Sequence, residues 1–460
     1  MRRVIAWGCL LAALCQVGTA EAANLDRTLQ LLLRVHDVGP VDPGPDHDPA
    51  LVELGRMLFY DRLLSGNRDI SCATCHHDLF ATGDALSLPI GTGGIGLGPG
   101  RIKGEGREFV PRNAPEIFNR GSREWTTMFW DSRVEEINGH FYSPAGPDLP
   151  EGFSNVLEIQ AMFPVTSRDE MRGAVGDLDV FGYPNELAAI PDNDLPDIWQ
   201  AIMMRLLGPD GAANPNVPSY MELFADAFPD VPFDELGFEH AAIAIGAYEA
   251  EAFTLLDSPW DRYLDGERGA LTESAKRGAV LFYGRAGCVR CHSGSLMTDQ
   301  EHHNILIPQL GPGKAPSAPE DRGRVEVTGY PLDRYRFRTP PLRNVAATGP
   351  WTHDGAYTTL EGVVRHHFNP VRSFLQYDAS QLEEEELQHT VSNSVFDLVR
   401  MLPTADPRVV APRYIAPRDM NDLLAFLESL TSPSLDDLVE RNLPDEVPSG
   451  LPVDGAMPKE

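Results

Sequence analysis

Two short runs carry the same potential chemistry: Cys72-Ala73-Thr74-Cys75-His76 and Cys288-Val289-Arg290-Cys291-His292. In each, two thiols separated by two residues can add to the vinyl groups of one haem. The imidazole that follows at once reaches the iron from the same turn of chain, which is the c-type haem attachment pattern. The chain has 6 cysteines and 13 histidines, so chance is a poor source of two such runs. A zinc site or a thioredoxin-like pair would not call for the trailing histidine twice. The spacing therefore predicts two covalently bound haem c groups, held by Cys72, Cys75 and His76 and by Cys288, Cys291 and His292.

The other two cysteines, Cys9 and Cys15, fall in an N-terminal run with a different purpose. Met1-Arg2-Arg3 precedes an apolar stretch from Val4 to Val17, and Ala20-Glu21-Ala22 supplies small residues at a cleavage spacing. These are the parts of a secretory signal peptide, assigned to residues 1–22, and they predict export to the periplasm. The stretch is short of the about 20 apolar residues needed to span a bilayer, so membrane insertion is not expected. The 460 residues include 38 basic and 68 acidic side chains, for a net charge of −30. Such a surface argues against nucleic acid or an anionic membrane as partner. A hydrophobic content of 42 % argues against a disordered chain.

The two motifs lie far enough apart to need two small domains, assigned to 45–255 and 265–432, with an acidic, Pro-rich tail over 433–460. Leu51, Leu54, Met57 and Leu58 recur at helical spacing before the first motif, and Ala275, Ala279 and Phe282 before the second. Thr272 can cap that second helix, with Glu273 near its positive end. Phe238–Phe253 reads as a long helix, and Met420, Leu423, Leu424, Leu427 and Leu430 as an amphipathic one. Gly- and Pro-rich loops lie between, near 91–106, 142–152 and 311–319. No clean alternating strand series stands out. The expected fold is mostly α, two cytochrome c-like haem domains with long loops.

Further blocks accompany the motifs in order. They are Leu63-Leu64-Ser65-Gly66-Asn67, Arg112-Asn113-Ala114-Pro115, Phe129-Trp130-Asp131-Ser132-Arg133, Asp257 to Leu264, Arg338 to Val345 and His353-Asp354-Gly355. Together, over roughly 51–431, the chain resembles the bacterial dihaem cytochrome c peroxidase and MauG family. The resemblance implies a peroxidatic haem at His76 and an electron-transfer haem at His292, with Trp130 as relay between them. It implies a peroxide pocket built from Gln160, Pro164 and Glu170, with Glu170 as the acid–base residue. It also implies a calcium ion between the domains on Asn113, Thr348 and Pro350, the last two through their carbonyls. The implied activity is reduction of hydrogen peroxide with electrons from a cytochrome c or another periplasmic redox protein. The acidic surface suits a basic-rimmed donor, and a homodimer is compatible with the resemblance.

Departures from the family pattern bear on the chemistry. Position 92, where classical members of the family carry a distal histidine on the peroxidatic iron, is Thr92, and no histidine occurs between His77 and His140. His77, directly after His76, is expected to point away from that iron, towards the surface. The sixth ligand of the second haem, Met in peroxidases and Tyr in MauG, falls on His367, with His366 as rival and Met401 as fallback. An imidazole there leaves open a MauG-like enzyme that oxidises a protein substrate. A plain dihaem electron carrier is the alternative of another class, although it has no use for an open iron beside Glu170. Insertions relative to the family pattern fall near 138–157 and 373–417.

Overall fold

The computed structural model describes residues 24–314 and 318–456. The expected signal peptide over 1–22, with Cys9 and Cys15, lies outside the described residues. The chain is mostly helical, about 43 % helix with little strand. Among the described residues, no helix is long and apolar enough to cross a membrane.

Each haem motif follows a helix pressed against a partner. Helix Pro49–Tyr60 starts where the Asp48 side chain accepts the Ala50 N–H at 2.8 Å, with proline in the first turn, where no donor is needed. Its buried residues Leu54 and Leu58 share one core with Ala241, Ile245 and Tyr248 of helix Phe238–Ala252. Gly55 makes the approach possible: a Cβ there would lie 1.9 Å from the Ala244 carbonyl oxygen. Helix Glu273–Tyr283, capped by Thr272 accepting from the Ala275 N–H at 3.1 Å, packs in the same way on helix Pro417–Glu428. There Gly278 stands against the Asp422 carbonyl, 1.8 Å from where its Cβ would be. Trp260, Phe282 and Phe426 fill the second core.

The chain ends cross over. Helix 24–35 buries Leu29 and Leu33 in the second core, and its Asp26 stands 2.8 Å from Lys276 Nζ and accepts the Tyr263 hydroxyl at 3.0 Å. The tail instead returns to the first half, as far as residue 456. Leu438, Val447, Leu451 and Val453 join the first core. The Asn442 amide donates to Asp78 at 2.8 Å, and the Ser449 hydroxyl to Asp61 at 2.6 Å. Asp454 accepts from Arg62 and from Thr74, each at 2.5 Å. Thr74 lies inside the first haem motif, so this strap braces the attachment loop from behind. We expect Asp454→Ala to lower stability by about 2 kcal/mol, since two donors lose a nearly buried carboxylate partner. Urea unfolding checks this, and a midpoint unchanged from the parent protein contradicts it.

His77 departs from the surface position expected for it. It is fully buried, because its Nδ1 accepts the Leu79 N–H at 3.1 Å while its Nε2 meets the Asp454 carbonyl at 3.2 Å. Its ring is turned into the strap rather than into water.

A short antiparallel sheet joins Thr127–Met128, Val134–Ile137 and His140–Tyr142. Asn138 and Gly139 connect the last two with φ of +54° and +79°, the double positive φ of a tight hairpin turn. The insertion near 138–157 thus begins as a hairpin tip. In the other insertion, Phe374, Leu398 and Met401 pack with Leu306 and Tyr335.

Candidate active site

Both attachment motifs fold as one tight turn. The His76 N–H donates to the Cys72 carbonyl at 2.9 Å, and the His292 N–H to the Cys288 carbonyl at 3.0 Å. Each turn gathers two half-buried cysteine side chains and the imidazole. Each imidazole is then aimed by a carbonyl a few residues on. His76 Nδ1 lies 3.1 Å from the Thr82 oxygen, and His292 Nδ1 lies 3.1 Å from the Met297 oxygen. Thr82 and Met297 both hold positive φ, +62° and +57°, which turns their carbonyls back towards the ring. An Nδ1–H engaged in this way leaves Nε2 as the lone-pair nitrogen for iron. Burial lowers the pKa of His76, and burial together with His367 pushes that of His292 down to about 4. Both rings are therefore neutral, the form that binds a metal.

A cavity enclosing about 1690 Å³ of atom-free space, its mouth included, opens beside Cys288, Cys291 and His292. His367 and Met401 also line it. The His292 and His367 ring centres are 6.4 Å apart. Two imidazoles bound through nitrogen to one metal at about 2 Å each have ring centres about 6 Å apart. His367 Nδ1 is held by the Val363 carbonyl at 2.8 Å, which leaves Nε2 over. His366 is engaged at both nitrogens. Its Nε2 donates to the Ile305 carbonyl at 2.7 Å, so its Nδ1 is the acceptor of the Tyr357 hydroxyl at 2.7 Å.

Trp130 forms part of the same cavity wall and is fixed from both halves. Its indole N–H donates to the Asn113 carbonyl at 2.9 Å, and its carbonyl accepts the Arg338 N–H at 2.8 Å. Asn113, Thr348 and Pro350 line that cavity too. The Asn113 amide NH₂ donates to the carbonyls of Leu86 at 2.9 Å and Ser87 at 3.3 Å, which leaves Oδ1 as its remaining donor to a cation. One amide oxygen and two carbonyl oxygens are hard, neutral ligands of the kind calcium takes.

Gln160, Pro164 and Glu170 follow one another through consecutive short turns. Helix Val156–Gln160, capped by Asn155, ends at Gln160; Pro164 opens the turn Pro164–Thr166; Glu170 sits in a π-helical turn over Arg168–Arg172. Such wide turns are rare and concentrate at functional sites. The loop of Thr92 closes on this turn. The Thr92 N–H donates to the Glu170 carbonyl at 2.8 Å, and Gly91 packs so closely that a Cβ would lie 1.8 Å from the Asp169 oxygen. The Thr92 hydroxyl donates to Asp69 at 2.8 Å. Burial raises the pKa of the half-buried Glu170 carboxyl, while Arg133 and Lys314 pull the other way.

A di-haem cytochrome c peroxidase family model matches residues 49–269. The MauG methylamine utilization protein of Methylorubrum extorquens is 30 % identical over 404 residues, covering 85 % of this chain and 89 % of that protein. The chain belongs to the di-haem cytochrome c peroxidase and MauG family. The cytochrome c551 peroxidase of Pseudomonas aeruginosa is 31 % identical over 313 residues, covering 68 % of this chain and 70 % of its own. Among solved structures, a MauG-like protein associated with microbial copper homeostasis matches with a TM-score of 0.54 and 26 % identity, covering 86 % of this chain and 94 % of that one. The protein is thus a peroxidase-type oxidoreductase of a family that carries two c-type haems. Its donor sets fit that group: paired thiols, an imidazole held by Nδ1, and a large apolar-walled cavity at the second motif.

A cluster of acids and bases surrounds Trp130 that no motif in the sequence marks as a unit. Asp131, fully buried, stands 2.6 Å from Arg112 and 3.2 Å from Arg133, and Arg112 reaches Asp321 of the second half at 2.6 Å. Against the cost of burial, Arg112, Arg133 and Lys314 hold the Asp131 carboxyl far below the usual carboxylate range. Arg112, Asp131 and Arg133 were visible only as members of family blocks. Nothing in the sequence ties Asp321 or Lys314 to them.

Proposed function

We propose that this peroxidase is exported to the periplasm and built as two cytochrome c-like haem domains. It reduces hydrogen peroxide at the His76 haem with electrons received at the His292 haem and passed through Trp130. Haem, when bound, supplies the iron at which the O–O bond breaks and the store of oxidising equivalents. The chain's own residues do the rest. Glu170 as carboxylate takes a proton from one peroxide oxygen and returns it to the other, which leaves as water. Gln160 orients the peroxide by hydrogen bonding. Pro164 and the Thr92 loop hold these two side chains in register. Asn113, Thr348 and Pro350 would hold a calcium ion that ties the halves together beside Trp130. The donor is a cytochrome c or another periplasmic redox protein, steered by charge opposite to the net −30 of this chain.

The observation that carries this reading is the turn that bears Glu170 and the loop tied to it. A half-buried carboxylate stands on a π-helical turn, and the loop facing it presents Thr92, bound to Asp69, where a distal histidine would close the iron. The experiment is to mix never-reduced ferric protein with peroxide and follow its consumption, with a reduced cytochrome c present.

One observation favours a second reading, MauG-like oxidation of a protein substrate. His367 stands opposite His292 at the separation of a shared metal. A second imidazole lowers the haem's potential relative to a thioether and favours higher oxidation states. Oxidising equivalents could then be shared across Trp130 instead of being filled at once by a cytochrome.

A further inference from the structure

An oxidisable side chain stands behind the His292 and His367 pair. Helix Leu360–Phe368 carries both His366 and His367, and their ring centres are 6.2 Å apart. The turn after His353-Asp354-Gly355 is closed by the Trp351 N–H on the Tyr357 carbonyl at 2.8 Å, and it brings the Tyr357 ring centre to 5.2 Å from that of His366. Helix Pro370–Leu375 adds Ser373, from the start of the insertion near 373–417. The hydrogen bonds around this phenol have one consistent reading. The Ile305 carbonyl only accepts, so His366 Nε2 carries the hydrogen of the 2.7 Å bond between them and Nδ1 keeps a lone pair. The Tyr357 hydroxyl donates to that Nδ1 at 2.7 Å, and its oxygen accepts the Ser373 hydroxyl at 2.8 Å.

A phenol that is only 4 % exposed, with a base on its hydroxyl, can release an electron and a proton together. Among the described residues, the oxidisable rings on the cavity wall itself lack that partner. Trp130 and Trp351 give their indole N–H to the carbonyls of Asn113 and Val345, each at 2.9 Å, and a carbonyl cannot keep a proton. The Tyr335 hydroxyl lies 3.4 Å from Glu320, a long and weak hydrogen bond. Tyr377 packs edge-on against Tyr357 with ring centres 5.6 Å apart, and its hydroxyl also ends on a carbonyl, that of Ala356. We propose that Tyr357 is a one-electron store for the His292 haem, with His366 as the base that holds its proton.

Each hydrogen peroxide leaves the protein two electrons short of its ferric state. When no donor protein refills them, Tyr357 gives one electron to the oxidised second haem, and its phenolic proton crosses to His366 Nδ1. The products are a neutral phenoxyl at Tyr357 and an imidazolium still bonded to the Ile305 carbonyl. Burial holds Tyr357 as the neutral phenol until then. A phenol short of one electron is a strong acid, so its proton moves even though burial disfavours a second proton on His366. Ser373 donates to the oxygen before and after. An electron from the cytochrome donor reverses both movements and restores the phenol. The proposal rests on the reading of hydrogen peroxide as the oxidant of this protein.

The test is paramagnetic resonance of the ferric holoenzyme, frozen after one equivalent of hydrogen peroxide with no donor present. The ferric signals should fall and a tyrosyl radical should appear, with hyperfine structure that narrows when the protein is grown on ring-deuterated tyrosine. Tyr357→Phe should keep the fall of the ferric signals and lose the radical, whereas Tyr377→Phe should keep both. Ser373→Ala leaves phenol and imidazole in place. It should keep the radical and shift its g values towards those of a phenoxyl with one hydrogen-bond donor fewer, a response that a purely structural tyrosine would not give. A radical undiminished in Tyr357→Phe, or none in the parent protein while its ferric signals fall, overturns the role of Tyr357 and leaves the peroxidase reading in place. Ferric signals that peroxide does not change overturn that reading, and this proposal with it.

Discussion

Glu170→Gln is expected to leave both haems attached and to slow the reaction with hydrogen peroxide by roughly 10²-fold or more. The amide keeps the shape of the carboxylate and can still hydrogen-bond, but it cannot carry a proton from one oxygen to the other. The side chain projects from a π-helical turn whose backbone is tied independently, by the Thr92 N–H on its own carbonyl and by Gly91 packed on Asp169. The substitution therefore removes the proton carrier without releasing the turn. Stopped-flow mixing of ferric protein with peroxide gives the rate. Unchanged kinetics would move the acid–base role to another residue.

The second large effect is expected at His367. His367→Ala should abolish the low-spin signal of the second haem and shift its midpoint potential, whereas His366→Ala should keep the low-spin signal. The difference lies in which nitrogens are already engaged. His367 has Nδ1 on the Val363 carbonyl and its ring 6.4 Å from that of His292. His366 is closed on both sides by Ile305 and Tyr357. Removing His366 should instead cost about 1–3 kcal/mol, because the buried Ile305 carbonyl loses its donor and the Tyr357 hydroxyl keeps only Ser373. Paramagnetic resonance and a redox titration read both variants. A low-spin signal that survives His367→Ala would pass the ligand role to Met401, on the wall of the same cavity.

The parts of this account that were legible in the sequence are those written in local spacing. Cys-x-x-Cys-His announces haem c within five residues. Thr272 before Glu273 announces a helix start, and the 3.6-residue recurrence of Leu54 and Leu58 announces the helix ahead of the first motif. The choice between His366 and His367 was not local, because adjacent residues on one helix differ only in what the rest of the chain offers them. Here that is Ile305 and Tyr357 for one and the cavity for the other. His77 is buried rather than exposed for the same reason: its environment depends on Asp454, far along the chain. Lys314 carries no motif at all. Its place beside Asp131 follows from a glycine-rich loop passing Leu88, which only the folded chain reveals. The Asn138-Gly139 turn is a local signal, but the strands it joins are too short to show an alternating pattern.

The measurement closest to the central claim starts from protein that has never been reduced. As isolated, the ferric enzyme should show one high-spin haem, at His76, and one low-spin haem, at His292, by paramagnetic resonance and visible absorption. Added hydrogen peroxide should then be consumed at once, with oxidation of a reduced cytochrome c and without a pre-reduction step. Two low-spin haems in the resting protein, or peroxide turnover only after reduction, would contradict an open iron beside Glu170.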